Sequence, residues 1–286
     1  MLRSSIALFV FIVMSSLIIA SAATSADITA VNLEPVGDIT TWPGTPYRWM
    51  DIADNLYSDN YQSSFQYDQP VVTLTYYNRN DTFRGTLVAK GLKPNFAYQM
   101  KLTGKPTAEW GANGDDWSNE QMGYKGRRWR RQPNPGNARD ADYEADKDKP
   151  GYVFLGYLLF DYFVTDEDGN ATRKFALDNS FHVLWKTRQR TPEVNDSKPT
   201  QHTVNAHSTN SAYDTDYETT TVGLYGEWEP GRALPGMARL EPGTYKLQFI
   251  VTEESFHSRH SLGGNWTGAM VREDVKFEIT PSKEGK

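Results

Sequence analysis

One tripeptide occurs twice in the chain, as Ser180-Phe181-His182 and as Ser255-Phe256-His257. Each copy lies in or just after a segment with strand character. His260 follows His257 by three residues, and Glu253 and Glu254 precede it. If the two segments are neighbours, His182, His257, His260 and Glu254 offer imidazole nitrogen and carboxylate oxygen together. That donor set suits Zn²⁺ or Cu²⁺, so an extracellular copper- or zinc-binding protein is one reading. The plainer alternative is that His182 pairs with its strand neighbours and that 253–260 is a solvated loop. A second donor set is harder. Asp166, Asp168 and Asn170 alternate around Gly169, and Asp214, Asp216 and Glu218 alternate further on. Oxygen ligands of this kind suit Ca²⁺, although neither run has the terminal glutamate of an EF-hand loop. A hairpin turn accounts for the first run and solvation for the second.

Catalytic patterns are missing. The sequence has no Gly-x-Ser-x-Gly elbow, no His-Glu-x-x-His, no phosphate-binding glycine loop and no cysteine. The expected function is therefore non-catalytic. Other residues point to contact. Lys125, Arg127, Arg128, Arg130 and Arg131 surround Trp129, and Asp140, Asp142, Glu144, Asp146 and Asp148 follow closely. The two runs either pair within one chain or meet head to tail between copies, the kind of contact that builds open filaments or layers. Trp110, Trp117 and Trp266 stand in loop-like sequence, where an indole serves as an interface anchor or a platform for sugar. Four glycosylation sequons begin at Asn80, Asn170, Asn195 and Asn265, all in predicted turns or loops.

The first 26 residues read as an export leader. Arg3 starts it, residues 6–19 are apolar apart from Ser15 and Ser16, and small residues close it at Ala20-Ser21-Ala22 and Thr24-Ser25-Ala26. The expected location is secreted or at the cell surface. With no cysteine in the chain, neither disulfides nor a lipid-bearing cysteine are available. About 260 residues remain, enough for one large core or two ordinary ones. The net charge of −6 argues against a nucleic-acid partner or a general anionic-membrane binder. No second apolar run approaches the ~20 residues of a membrane helix.

Strand periodicity must position these residues. Val72, Leu74 and Tyr76 alternate with threonines. Phe96, Tyr98, Met100 and Leu102 alternate with Ala97, Gln99 and Lys101. Tyr245, Leu247, Phe249 and Val251 do the same, as do Val275, Phe277 and Ile279. A period of two means one buried and one wet face, the pattern of antiparallel sheets. Residues 152–164 are nearly all apolar and read as a central strand or two consecutive ones. Residues 166–170 read as a hairpin turn after it, with 175–186 returning. No stretch of 12 residues has a helical period. Residues 103–150 and 188–216 read as long loops, a class that is usually functional or mobile.

A faint repeat gives a resemblance. Leu92, Pro94 and Tyr98 open one strand, and Leu240, Pro242 and Tyr245 open another. A proline turn feeding a strand with an early inward tyrosine resembles the tyrosine corner of fibronectin type III domains. The second copy resembles the final strands of immunoglobulin-like surface domains. The resemblance implies an all-β, antiparallel β-sandwich, and the phenol in such a corner bonds backbone upstream. The expected organisation is a leader at 1–26, a sandwich at 27–150 carrying the charged loop 103–150, and a second sandwich at 151–286. One merged sandwich is the close alternative, with the strand at 152 completing the first half. The expected function is a self-assembling structural subunit of a surface layer, sheath or fibre, with copies of itself or a surface polysaccharide as partner. A secreted carbohydrate-binding module is the alternative. Residues 27–36 are a candidate strand for donation to a neighbour.

Overall fold

The computed structural model describes residues 27–36, 46–104, 116–185, 199–228, 238–254 and 267–281. The leader, His257, His260, Trp110, Trp266, Asn195 and Asn265 lie outside the described residues. In chain order the first elements are β1 (Ile28–Asn32), β2 (Glu34–Pro35), α1 (Asp59–Ser64), β3 (Val71–Tyr77), β4 (Arg79–Asn80), β5 (Arg84–Lys90) and β6 (Ala97–Thr103). Then come α2 (Asp116–Lys125), β7 (Arg127–Gln132), β8 (Gly136–Ala138), α3 (Asp140–Asp146), β9 (Val153–Val164) and β10 (Ala171–Ala176). The last are β11 (Phe181–Trp185), β12 (Thr200–Val204), β13 (Thr220–Trp228), β14 (Gly243–Glu253) and β15 (Thr267–Ile279).

The fold is all-β and predominantly antiparallel. A four-stranded sheet has the order β1-β3-β5-β10, and a larger sheet the order β2-β15-β14-β6-β9-β7-β8, with β4 beside β15. A third sheet, β11-β13-β12, is separate. The period-two segments supply the core between the first two sheets, because alternate side chains of each strand point to one face. Val72, Leu74, Leu87 and Ala89 meet Met100, Leu102, Leu158, Phe249 and Val275, all at most 1% exposed. Aromatic rings span the gap: Phe175 lies 5.6 Å from Phe160 and 6.3 Å from Phe249 between ring centroids.

The larger sheet runs unbroken across residue 150. β9 pairs with both β6 and β7, and β14 pairs with β6. A boundary at 150 would cut this sheet. The residue 166–170 turn is present, with Gly169 N–H donating to the Asp166 carbonyl and Asp166 N–H to that of Asn170. The strand after it does not return along β9, however, because both edges of β9 are already paired. β10 crosses to the other sheet and pairs with β5. Residues 27–36 are likewise placed on their own chain. β1 joins the smaller sheet through β3, Leu33 is buried, and β2 joins the larger sheet through β15.

The expected loop 103–150 holds α2, β7, β8 and α3. Helix α2 has no apolar stripe and is held by close approach to the sheet. A Cβ on Gly156 would stand 2.0 Å from the Asn119 carbonyl oxygen and 2.5 Å from Gly123 N. Asn119 closes the contact, accepting from Gly156 N–H at 2.7 Å and donating to the Phe154 carbonyl at 3.0 Å. Both predicted corners form: Tyr98 Oη accepts from Lys93 N–H at 3.2 Å, and Tyr245 Oη donates to the Glu241 carbonyl at 2.9 Å.

Candidate functional site

The chemically richest residues converge at the end of β14. Strand alternation sends Glu253 and Glu254 to opposite faces of the larger sheet. Glu253 faces inward beside Tyr98, its register partner. Its Oε1 accepts from Lys93 Nζ at 2.8 Å, Tyr67 Oη at 2.8 Å and Arg48 Nη2 at 3.1 Å. Lys93 also donates to the Arg48 carbonyl at 2.7 Å, and its ammonium sits 4.5 Å from the Trp49 ring and 4.6 Å from that of Phe96. Glu254 faces outward. Its carboxylate meets His182 Nε2 at 2.8 Å, Lys101 Nζ at 3.3 Å and Thr252 Oγ1 at 2.8 Å. β11 brings His182 there by lying across the sheet, with Val183 N–H donating to Gln99 Oε1 at 2.9 Å. The predicted meeting of His182 with a glutamate therefore occurs, but between layers and not between paired strands.

These charges are enclosed. Side chains of Arg48, Lys93, Lys101, His182, Glu253 and Glu254 are at most 10% exposed. Burial pushes the Lys93 ammonium down to about 8, and the neighbouring Arg48 adds to that push against the pull of Glu253. Burial works on the Glu253 carboxyl in the opposite sense, yet Lys93 and Arg48 outweigh it and hold the group below its ordinary value. With two cations on one carboxylate, the acid stays ionised and the surplus positive charge falls on the lysine. The arrangement pairs the buried charge through Glu253 Oε1, while Oε2 of the same carboxylate is buried without a hydrogen-bond partner among the described residues.

The other candidates separate in the same way. Among the described residues no group of three or more His, Cys, Asp or Glu side chains gathers as for a metal ion. Asp166 Oδ1 accepts from the N–H groups of Asp168 and Asn170, and Asn170 Oδ1 accepts from Gly91 N–H. Asp166 and Asn170 thus shape the turn, and Asp168 points elsewhere, into a cleft. Asp216 is bonded to Ser208 through both its N–H and its hydroxyl. Asn80 and Asn170, the two sequon asparagines within the described residues, are half-buried; Asn170 closes the 166–170 turn, whereas Asn80, expected in a turn, lies in β4 beside β15.

The charged segment spends its charges internally. Arg128, 2% exposed, lies between the rings of Tyr124 and Tyr143 at 4.3 and 3.8 Å and bonds Asp140 at 3.0 Å. Lys147 pairs with Glu120 and Glu144, Arg139 with Asp142, and Lys149 with Asp146. Arg130 donates to the Asn134 carbonyl, while Arg127, Trp129 and Arg131 are half-buried along β7. Trp117 packs on Tyr245 at 4.6 Å and remains 36% exposed. Of the two arrangements the sequence allows, these contacts are pairing inside one chain.

Sequence reasoning passed over the outer edge of β1 as a free edge. Asn78 N–H donates to the Asp27 carbonyl, and Leu33 N–H to that of Val72. With the β1–β3 register, antiparallel alternation turns Asp27, Thr29, Val31 and Leu33 toward β3. The N–H and C=O groups of Ile28, Ala30 and Asn32 therefore point away from the sheet. Residues 28–32 contain no charge, proline or bulge, the devices that commonly blunt an edge. Ile28 is 49% exposed and Tyr77, its register partner, 41%. Elsewhere β2 is two residues with a proline and β8 is three residues, while β10 carries Arg173 and Lys174 and β12 in the third sheet is a further edge without charge or proline. No protein-family model, curated protein or solved structure matches the chain.

Proposed function

We propose that the protein is a non-catalytic, exported surface or matrix subunit that assembles with copies of itself through β1. The observation that carries this reading is the uncharged, unblunted edge formed by Ile28, Ala30 and Asn32. An added strand there would satisfy backbone groups that no described residue of the chain pairs, the bonding mode of β-augmentation. The order β1-β3-β5-β10 is antiparallel throughout. A second copy can extend it without breaking alternation, either β1 on β1 about a two-fold axis or β1 on β10 of the next copy. The first closes a dimer and the second propagates. The leader-like first 26 residues and the absence of a catalytic motif agree with a structural role outside the cell.

Light scattering and negative-stain imaging of the chain from Asp27 onward test this, beside an Ala30→Pro variant. Proline at 30 removes an N–H that points to solvent and leaves the β3 bonds in place. Dimers, filaments or sheets that dissolve on this substitution, with an unchanged melting temperature, are the expected result. A wild-type chain that stays monomeric at high concentration sinks the proposal, as does assembly that Ala30→Pro does not weaken.

A further inference from the structure

We infer that a cleft between α1, the turn at 91–94, the turn at 166–170 and the segment 205–211 is a saccharide-binding site for neutral or basic sugars. It is independent of the β1 edge and its residues lie elsewhere in the chain. Its volume is about 520 Å³, within the range of about 300–1,000 Å³ usual for small-molecule sites. Phe65, Leu92 and Pro94 are its buried apolar lining, and the half-buried ring of Tyr61 stands beside them. Around these are Glu167, Asp168, Asn205, His207, Thr209 and Asn210. A sugar ring has the complementary chemistry, with C–H faces that pack on apolar and aromatic surface and hydroxyls that need planar acceptors and donors around them.

The walls are fixed before any ligand arrives. Asp166 locks the turn that carries Glu167 and Asp168 by accepting two of its backbone N–H groups. Asn210 locks the facing segment by accepting from Ala212 N–H, and its amide reaches across to the Glu167 carbonyl. Ser58, the cap of α1, ties that helix to the same segment, its N–H donating to the Ala212 carbonyl and its hydroxyl to that of Ser211. Against this rigid frame, the side chains of Glu167, Asp168 and Thr209 enter no hydrogen bond among the described residues. Preorganised walls with unspent polar groups lower the ordering cost of binding. The two carboxylates at the rim favour an ammonium group and oppose a uronate. His207, on the same rim, stands 3.9 Å from Asp216.

Isothermal titration of the full chain with cellobiose, a glucosamine dimer and a galacturonate dimer tests the inference. Saturable binding is expected for the first two. The glucosamine dimer should bind tightest, and the galacturonate dimer about tenfold or more weaker than it. The double variant Glu167→Gln, Asp168→Asn should erase the glucosamine preference. Thr209→Ala should weaken cellobiose and glucosamine dimer alike, each variant keeping the wild-type melting temperature. No saturation by any of the three sugars overturns the site, and so does a preference for the galacturonate dimer. Affinities that none of these variants changes overturn it as well.

Discussion

The end of β14 and the edge of β1 are opposite solutions to the same accounting of polar groups. At β14 the chain buries two consecutive glutamates and surrounds each with donors, so that charge is present and none of it faces a partner. At β1 there is no charge in residues 28–32, yet three residues turn their backbone groups outward. The unpaired backbone of β1 thus lies apart from the charged residues. The segment 127–148 repeats the lesson in part: Arg128 of the basic run pairs with Asp140 of the acidic run, and Arg139, Lys147 and Lys149 pair with acids close by.

The largest test of this contrast is Glu253→Ala. Removing one partner from a buried ionic group leaves Lys93 and Arg48 uncompensated, which costs about 3–5 kcal/mol. Urea unfolding should show that loss, and a loss below about 1 kcal/mol would mean that the charges at β14 are not the enclosed group described. Next comes Arg128→Ala, which empties a site between two tyrosine rings and strands the surrounding packing. A destabilisation of about 2–3 kcal/mol is expected, with the assembly of the folded fraction intact. Assembly lost at unchanged stability would return the interface to the charged segment. A milder probe of β1 is Ala30→Lys, which places a charge at the middle of the edge. It should raise the concentration needed for assembly by about tenfold, near 1.4 kcal/mol, and leave unfolding within about 0.5 kcal/mol of wild type.

The smallest effect is in pH dependence. Lys93 in the folded chain titrates at about 8, against about 10.4 when unfolded. Between these values the unfolded chain binds more protons, so this group makes stability rise with pH from about 8 to about 10. Glu253 acts at the other end. Its folded value lies below 4.5, so its contribution is full above that and is lost as pH falls through the folded value. Lys93→Met should flatten the alkaline rise, and equal slopes for variant and wild type would remove Lys93 from the account. Assembly through uncharged backbone should show neither trend once stability is held constant.

Several elements were legible in the residues because one physical signal dominated each. Strand β3 shows the one buried and one wet face that its period of two predicts, whereas β6 is buried on both faces and β14 along most of its length, because further elements cover the larger sheet. The two proline-tyrosine corners form where their spacing places them. The segment 127–132, Arg-Arg-Trp-Arg-Arg-Gln, hides a strand because charge masks alternation, and its pairing comes from β9 and β8. Helix α2 lacks an apolar stripe and is fixed by contact between Gly123 and Gly156, which no local pattern announces. His182 and Glu254 were visible as candidates, but their meeting needed β11 to cross the sheet. The sequence offers residues 27–36 as a strand for donation, whereas the structure seats β1 on its own chain, with its outer side unpaired among the described residues.

By itself the sequence determined the all-β antiparallel class, the strands with a buried face and the absence of cysteine chemistry, all properties of residue type and short-range period. Tertiary structure decided the single sheet across residue 150, the crossing of β10 to the opposite sheet and the choice of which charges are enclosed. It also decided which strand edges stay unpaired among the described residues and which four segments frame a cleft. These depend on which distant strands compete for each edge, and a strand already paired on both sides sends its successor elsewhere, a constraint that exists only once the chain is folded.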